Sequence, residues 1–320
     1  DDPAQTYPLA IALDENDPNK LFFTCGDKRS NYLCISDDKG ENIIQKPLPC
    51  SVHGNEVGRA TGDRLIYKNG RLYFGSQTAG IIYSEDIGES WQSIDLYGEK
   101  NISLIWTDSE GKLFIAGCSG EANSPDGVTR GHTLYCSTDG LKSFVPLTAP
   151  DPVKYENSSY YGFVPQRITS DSRYIYITFA SSGKVFYGGM GAYACDTGSL
   201  SGGKVYRYRI ENGVPVFDTD ITPEDDTPCG YGGICSNGKM LLLSTVCRKN
   251  GGDMIYTSTD SGESWKIIMN GLEYSRFDWN IPYMKPAYNG GGNCVHWISD
   301  IKLSPFDSDT ALFNTGTGLF

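Results

Sequence analysis

Apolar and polar residues alternate along this chain in short runs bounded by Gly, Asn, Asp and Ser, and no long stretch keeps the three-to-four spacing of a helix. A period of two turns successive side chains to opposite faces, so these runs read as β-strands. Tyr174-Ile175-Tyr176-Ile177-Thr178-Phe179 is one example and Lys204-Val205-Tyr206-Arg207-Tyr208 another. The runs fall into sets of four. One set is 61–67, 71–76, 80–84 and 91–95; the next is 102–107, 113–118, 133–137 and 144–148. A third is 166–170, 174–180, 204–210 and 216–221; a fourth is 231–236, 239–246, 254–258 and 265–269. Ahead of them stand 9–13, 20–24, 32–36 and 43–47, and behind them 296–303 and 311–315. The pattern predicts an all-β chain built from four-stranded antiparallel units.

An eight-residue pattern recurs between the third and fourth runs of a set. Ser84-Glu85-Asp86-Ile87-Gly88-Glu89-Ser90-Trp91 and Ser258-Thr259-Asp260-Ser261-Gly262-Glu263-Ser264-Trp265 share S-x-D-x-G-x-x-W. Residues 36–43 keep Ser36, Asp38 and Gly40 but end in Ile43; residues 137–144 keep Ser137 and Asp139, end in Phe144 and carry the glycine at Gly140. This is the Asp-box pattern. Its chemistry suits a hairpin turn: the carboxylate accepts turn N–H bonds, the glycine takes a positive φ, and the indole packs beneath. Asp38, Asp86, Asp139, Asp260, Trp91 and Trp265 therefore read as structural rather than catalytic. The copies start 48, 53 and 121 residues apart, the last gap spanning one unit without the pattern. A period near 50 with four strands per unit predicts a β-propeller. Five full blades and half of a sixth are visible, with seven expected, so residues 1–320 read as one propeller domain incomplete at both ends.

In such a fold the second-to-third and fourth-to-first connections share one face. Here they are the long ones: 119–132, 149–165, 181–203 and 271–295. Long loops on a rigid scaffold are where function concentrates. They carry Tyr155, Tyr160, Tyr161 and Phe163, then Phe186, Tyr187 and Tyr193, then Tyr274, Phe277, Trp279, Tyr283 and Tyr288. Rings among amides and carboxylates suit a neutral polysaccharide, whose C–H faces stack while its hydroxyls are bonded. The same rings also serve packing within compact loops.

Composition narrows the classes. The 38 glycines and 21 tyrosines fit a turn-rich β protein, and the aromatics argue against disorder. A net charge of −12 disfavours nucleic acid, an anionic membrane surface or an anionic polysaccharide. No apolar stretch approaches the ~20 residues of a membrane span. Ten cysteines include no C-x-x-C pair, and His53, His132 and His296 are scattered, so no metal site is expected. Cys118, Cys136 and Cys235 lie in strands; buried thiols and one or more disulfides both fit. No phosphate-binding glycine loop opens a helix, and no cofactor is implied. The start at Asp1-Asp2-Pro3, without Met, reads as a processed or cut chain, and removal of a signal peptide from a secreted protein fits it.

The stretch Gly54-Asn55-Glu56-Val57-Gly58-Arg59-Ala60-Thr61-Gly62-Asp63-Arg64-Leu65 resembles the GNExGRxxGERL stretch of glycoside hydrolase family 74, the xyloglucanases, with Asp63 for the family's Glu. Tyr73 to Gly80, Ala10 to Asp14 with Asp17-Pro18-Asn19, and Trp297-Ile298-Ser299-Asp300-Ile301-Lys302-Leu303-Ser304-Pro305-Phe306 are similar too. The resemblance runs from about residue 8 to residue 320. It implies two seven-bladed propellers with a glycan cleft between them, the second lying beyond residue 320. It implies a monomeric β-1,4-glucanase, endo- or exo-acting on xyloglucan, that inverts with two Asp residues ~6.5–9.5 Å apart. The family's base motif and acid motif are both missing from these 320 residues. The chain is thus expected to supply one cleft wall: Asn55, Glu56, Arg59, Trp106, Tyr161, Trp279, Trp297 and Asp300 are the candidate sugar contacts. Arg59, Asp63 and Arg64 read equally as an ion-pair network between inner strands, Trp106 as core, and Asp300 as a partner of Arg64. A non-catalytic glycan-binding propeller fits the missing carboxylates as well. A sialidase would need an arginine triad that the isolated arginines do not suggest, and a protein-binding propeller would show an apolar or charged patch.

Overall fold

The computed structural model describes residues 7–26, 30–52, 62–76, 78–118, 120, 132–147, 160–183, 185–187, 190–192, 203–224, 230–246, 253–271, 298–307, 309–315 and 318–320. Two compact units divide the chain. One comprises residues 1–165, 182–196 and 212–214, the other 166–181, 197–211 and 215–320. No α-helix occurs among the described residues.

The first unit holds three antiparallel sheets, each a simple meander. They are β1 (Tyr7–Asp14), β2 (Asp17–Gly26), β3 (Asn31–Ser36) and β4 (Ile44–Pro47); β5 (Leu65–Lys68), β6 (Arg71–Gly75), β7 (Ile81–Ser84) and β8 (Gln92–Ile94); and β9 (Ile102–Thr107), β10 (Phe114–Cys118), β11 (Leu134–Ser137) and β12 (Val145–Pro146). The next sheet joins β13 (Tyr160–Ser170), β14 (Tyr174–Gly183), β17 (Lys204–Glu211) and β18 (Val214–Asp220) in that order. A two-stranded ribbon, β15 (Val185–Tyr187) and β16 (Met190–Ala192), stands between β14 and β17 in the chain. Then come β19 (Gly230–Ser236), β20 (Leu241–Val246), β21 (Met254–Ser258) and β22 (Lys266–Asn270), and lastly β23 (Asp300–Leu303), β24 (Ala311–Thr315) and β25 (Gly318–Leu319).

Five four-stranded sheets and one three-stranded sheet are thus described. Three expectations change. The connection 181–203 contains the ribbon and is not all loop. The strand expected at 166–170 begins at Tyr160, which puts Tyr161 on β13 instead of in a loop. The last sheet gains a third strand, because the chain turns back after Thr315 to pair Gly318 with it.

The cores lie between successive sheets, and neighbouring residues of one strand serve opposite cores. Ile82 packs with Phe22, Leu33, Leu72 and Phe74 on one side of β7, while Ile81 packs with Ile105, Phe114 and Tyr135 on the other. In the second unit Leu243 joins Tyr176, Val205 and Ile234, and Leu242 joins Ile255, Ile298 and Ile301. Strands buried on both faces cannot alternate strictly, which explains apolar runs such as Leu241-Leu242-Leu243. Each such side chain contributes ~1.5–3 kcal/mol on burial.

The four octads form one turn. The serine at position one donates to the aspartate at position three: Ser36 to Asp38 at 2.7 Å, Ser84 to Asp86 at 2.8 Å, Ser137 to Asp139 at 2.9 Å and Ser258 to Asp260 at 2.7 Å. The same serine oxygen accepts the position-five N–H, at 2.7 Å from Gly88 and 3.1 Å from Leu141. Position seven, a Ser or Asn, donates to the aspartate through both backbone and side chain; for Asp86 the distances are 2.9 and 2.6 Å from Ser90. Positions four and five are both left-handed: Lys39 and Gly40 (φ 62 and 92), Ile87 and Gly88 (55 and 82), Gly140 and Leu141 (74 and 69), Ser261 and Gly262 (63 and 88). Glycine at either place relieves one of the two, which is why Gly140 can stand one position early. The two-residue hairpin between β17 and β18 likewise places two left-handed residues in succession, Asn212 and Gly213 (53 and 80).

Each of the last three octads also rests on the sheet before it. Lys46 of β4 donates to Ile87 O at 2.7 Å and pairs with Glu89 at 2.8 Å. Arg207 of β17 donates to Ser261 O at 2.9 Å and pairs with Glu263 at 2.8 Å. Tyr97 Oη donates to Phe144 O at 2.5 Å. Trp265 donates its indole N–H to Ile221 O at 2.7 Å. A β-carbon on Gly88 would lie 2.5 Å from Leu33 Cδ2, and one on Gly262 2.6 Å from Ile221 Cδ1.

Hydrogen bonds from Ser90, Ser143 and Ser264 hold the carboxyls of Asp86, Asp139 and Asp260 down to about 2 each. Such a group adds stability above its unfolded value near ~4 and loses it as pH falls through its folded value. The urea midpoint is therefore expected to hold at pH 5 and above and to decline from about pH 4 toward 2. The triple variant Asp86→Asn, Asp139→Asn, Asp260→Asn should show a shallower decline; an unchanged slope would place the acid sensitivity elsewhere. Gly88→Ala is expected to cost ~1–3 kcal/mol in chemical unfolding, from the left-handed φ and the Leu33 contact together.

Candidate functional site

The inner strands carry the predicted sugar contacts that can be located. Trp106 lies on β9 opposite Ile115 and is half-buried. Tyr161 lies on β13. Asp300 opens β23. Asn55, Glu56, Arg59, Trp279 and Trp297 lie outside the described residues. The glycan-facing loops expected at 119–132, 149–165 and 271–295 lie mostly outside them too.

Asp300 is the best-defined candidate. Its N–H donates to Asn314 Oδ1 at 2.8 Å, and that oxygen also receives Ser299 Oγ at 3.0 Å. Its Oδ1 accepts the Ile301 N–H at 2.9 Å and lies 3.5 Å from Lys302 Nζ. Its Oδ2 lies 3.5 Å from a guanidinium nitrogen of Arg167, on β13. The sequence offered a sugar hydroxyl or Arg64 as its partner; the structure places Arg167 beside it. Arg64 belongs to the first unit, where it is buried beside Cys50 and its carbonyl accepts the Gly75 N–H at 2.8 Å. The preceding carbonyl, of Asp63, accepts the Ile105 N–H at 2.8 Å, so this stretch stitches two inner strands through backbone bonds.

Small residues bring the inner strands of the second unit close. A β-carbon on Gly232 would sit 2.4 Å from Ile298 O, and one on Gly233 2.6 Å from Ile301 N. Ser244 Oγ accepts the Gly233 N–H at 2.9 Å and donates to Ile298 O at 3.2 Å. The β19 pairing slips between Tyr231 and Ile234, at those two glycines. Arg167 on β13 and Asp300 on β23 stand within ion-pair reach. Arg167 is 8% exposed, so its charge is settled by contacts within the protein.

The chemistry available here is that of binding. Asp38, Asp86, Glu110, Asp139, Asp220, Asp260 and Asp307 are each displaced downward, by turn hydrogen bonds or by ion pairs. A general acid needs the opposite shift. No cluster of three or more His, Cys, Asp or Glu able to hold a metal ion occurs among the described residues. Cys25, Cys34, Cys50, Cys118, Cys136 and Cys235 are free thiols. Cys25 and Cys34 approach to 3.2 Å, and burial pushes the Cys34 thiol up to about 12. Sequence reasoning missed Arg167, because nothing local links it to a residue 133 positions away (300 − 167).

No protein-family model matches the chain. Among curated proteins it is 24% identical to an oligoxyloglucan-reducing end-specific xyloglucanase of Emericella nidulans, over 97% of this chain and 44% of that protein. It is 24% identical to a xyloglucanase of a Paenibacillus species, over 97% of this chain and 32% of that protein. Among solved structures it superposes on a GH74 enzyme of Niastella koreensis with TM-score 0.74 and 21% identity, and on the GH74 xyloglucanase of Xanthomonas campestris with TM-score 0.70 and 22% identity. Each superposition covers 98% of this chain and 44% of the other. The chain spans less than half the length of these relatives. It is similar to xyloglucanases along almost all of its own length, and its fold is that of their propeller.

Asp300→Ala is expected to lower stability by ~1–3 kcal/mol in urea, because it removes a carboxylate 3.5 Å from the buried Arg167 guanidinium. An unchanged midpoint would show that Asp300 is not held by Arg167 and would return it to a purely solvent-facing role.

Proposed function

We propose that this chain is part of a xyloglucan-active glycoside hydrolase and forms one wall of its polysaccharide cleft. The observation that carries the reading is the similarity to xyloglucanases over 97% of the chain. The aromatic and amide-rich loops identified in the sequence agree with it. So does the net charge of −12, which suits a neutral glucan better than an acidic one. On this reading the propeller is seven-bladed when complete, a second propeller follows residue 320, and the whole is a secreted monomer. The octads are Asp-boxes with a structural role. Asn55, Glu56, Arg59, Trp106, Tyr161, Trp279, Trp297 and Asp300 contact sugar, and the general acid and base of an inverting mechanism lie outside residues 1–320.

A second reading is a glycan-binding propeller without catalysis, which the missing acid and base motifs fit equally well. The two are separated by titrating the chain with xyloglucan oligosaccharides in a calorimeter while following reducing-sugar release. Binding at millimolar sugar or tighter, without release, is the expected outcome. Release would mean a carboxylate pair within these residues, with Glu56, Asp63 and Asp300 the first to substitute. Absence of binding would sink the glycan reading.

A further inference from the structure

Two of the octad turns leave a cleft against the outer strands of the sheet before them. In the second unit this cleft measures about 520 Å³, and Trp265, which lines it, spends its indole N–H on Ile221 O. In the first unit the corresponding cleft, between β8 and the octad of residues 137–144, measures about 460 Å³. Both fall in the ~300–1,000 Å³ range of ligand sites. The first-unit cleft differs in its lining: Tyr73, Tyr83 and Tyr97 form its walls, and Ser93, Asp95 and Lys142 are among its polar residues.

The three rings are held in place. Tyr73 and Tyr83 are stacked, centroids 6.2 Å apart at 29°. Tyr83 Oη donates to Gln92 Oε1 at 2.7 Å, and the Arg71 guanidinium sits 5.8 Å from the Tyr83 ring centroid. Tyr97 is left-handed, with φ 52, yet leaves 54% of its surface exposed. A bulky residue adopts that backbone only when its surroundings impose it. Here the Gly98 N–H bonds Asp95 Oδ1 at 3.0 Å, the ring stacks on Tyr135 at 5.5 Å, and the hydroxyl is tied to Phe144 O. The ring is thus fixed in a left-handed turn and remains half exposed on the cleft wall, where a ligand could stack on it.

The charges near the cleft balance. Arg71 pairs with Glu85, and Asp95 and Lys142 carry opposite signs. An anionic or cationic ligand finds no net attraction there. A neutral ligand with apolar ring faces and hydroxyl edges finds both of its needs: tyrosine rings for the faces, and serine, carboxylate and ammonium groups for the edges.

We propose that this outer cleft is a carbohydrate-binding site that takes a short stretch of neutral β-glucan. The proposal rests on the glycan reading of the chain and assigns it a site on the outer strands, apart from the inner-strand candidates. The test is hydrogen–deuterium exchange of the full chain with a xyloglucan oligosaccharide, together with retention on xyloglucan-bearing gel. Sugar is expected to protect residues 92–98 and 139–144. Tyr83→Ala is expected to abolish that protection and weaken retention roughly two- to tenfold, as loss of one ring stack implies. Tyr83→Phe keeps the ring and should retain both. If Tyr83→Ala lowers the melting temperature, the exposed pair Ser93→Ala, Lys142→Ala replaces it, with loss of protection again expected. Protection confined to other segments overturns this site and leaves the glycan reading standing. No protection and no retention overturn both.

Discussion

Two consecutive left-handed residues in a tight turn constrain almost everything else in this molecule. At Ile87 and Gly88, and again at Ser261 and Gly262, the backbone turns so that the position-four carbonyl faces the preceding sheet. There a cation waits, Lys46 in one case and Arg207 in the other. The serine, the aspartate and the residue at position seven hold that geometry from within. The glycine at position five lets the turn approach Leu33 or Ile221 more closely than any β-carbon could. Sheets that would otherwise share only an apolar face thus gain a polar anchor at their outer ends, which fixes where one lies on the next.

The strand plan was legible because it rests on local alternation and on a repeat, both visible in one dimension. The octad was legible through its serine, aspartate and tryptophan. Its position-seven partner was not, because Asn42, Ser90, Ser143 and Ser264 are ordinary surface residues until their bonds to the aspartate are seen. The displaced Gly140 looked like decay of the motif; with two left-handed positions available it is an equivalent solution, with Leu141 carrying the strain instead. The ribbon of β15 and β16 escaped notice because glycines flank it and its strands are only three residues long.

The candidate site was legible only in part, for a physical reason. Asp300 was picked from its place on an inner strand, but its partner Arg167 comes from a strand far away in sequence, and two glycines of β19 let β23 pack close. Close approach of backbones leaves no periodic trace. The displaced carboxylates have structural employment: Asp38, Asp86, Asp139 and Asp260 hold octad turns, and Glu110 and Asp220 sit in ion pairs.

The anchors share one further property, which is direction. Lys46 precedes the turn that it grips, as do Tyr97 and Arg207; Lys46 and Arg207 belong to the sheet made immediately before, and Tyr97 to the segment that follows β8. A ribosome releasing this chain from its N-terminus would therefore finish every dock before the turn that needs it emerged. Each new octad could lock at once onto a sheet already folded, and the exposed edge awaiting a partner would never be longer than one sheet.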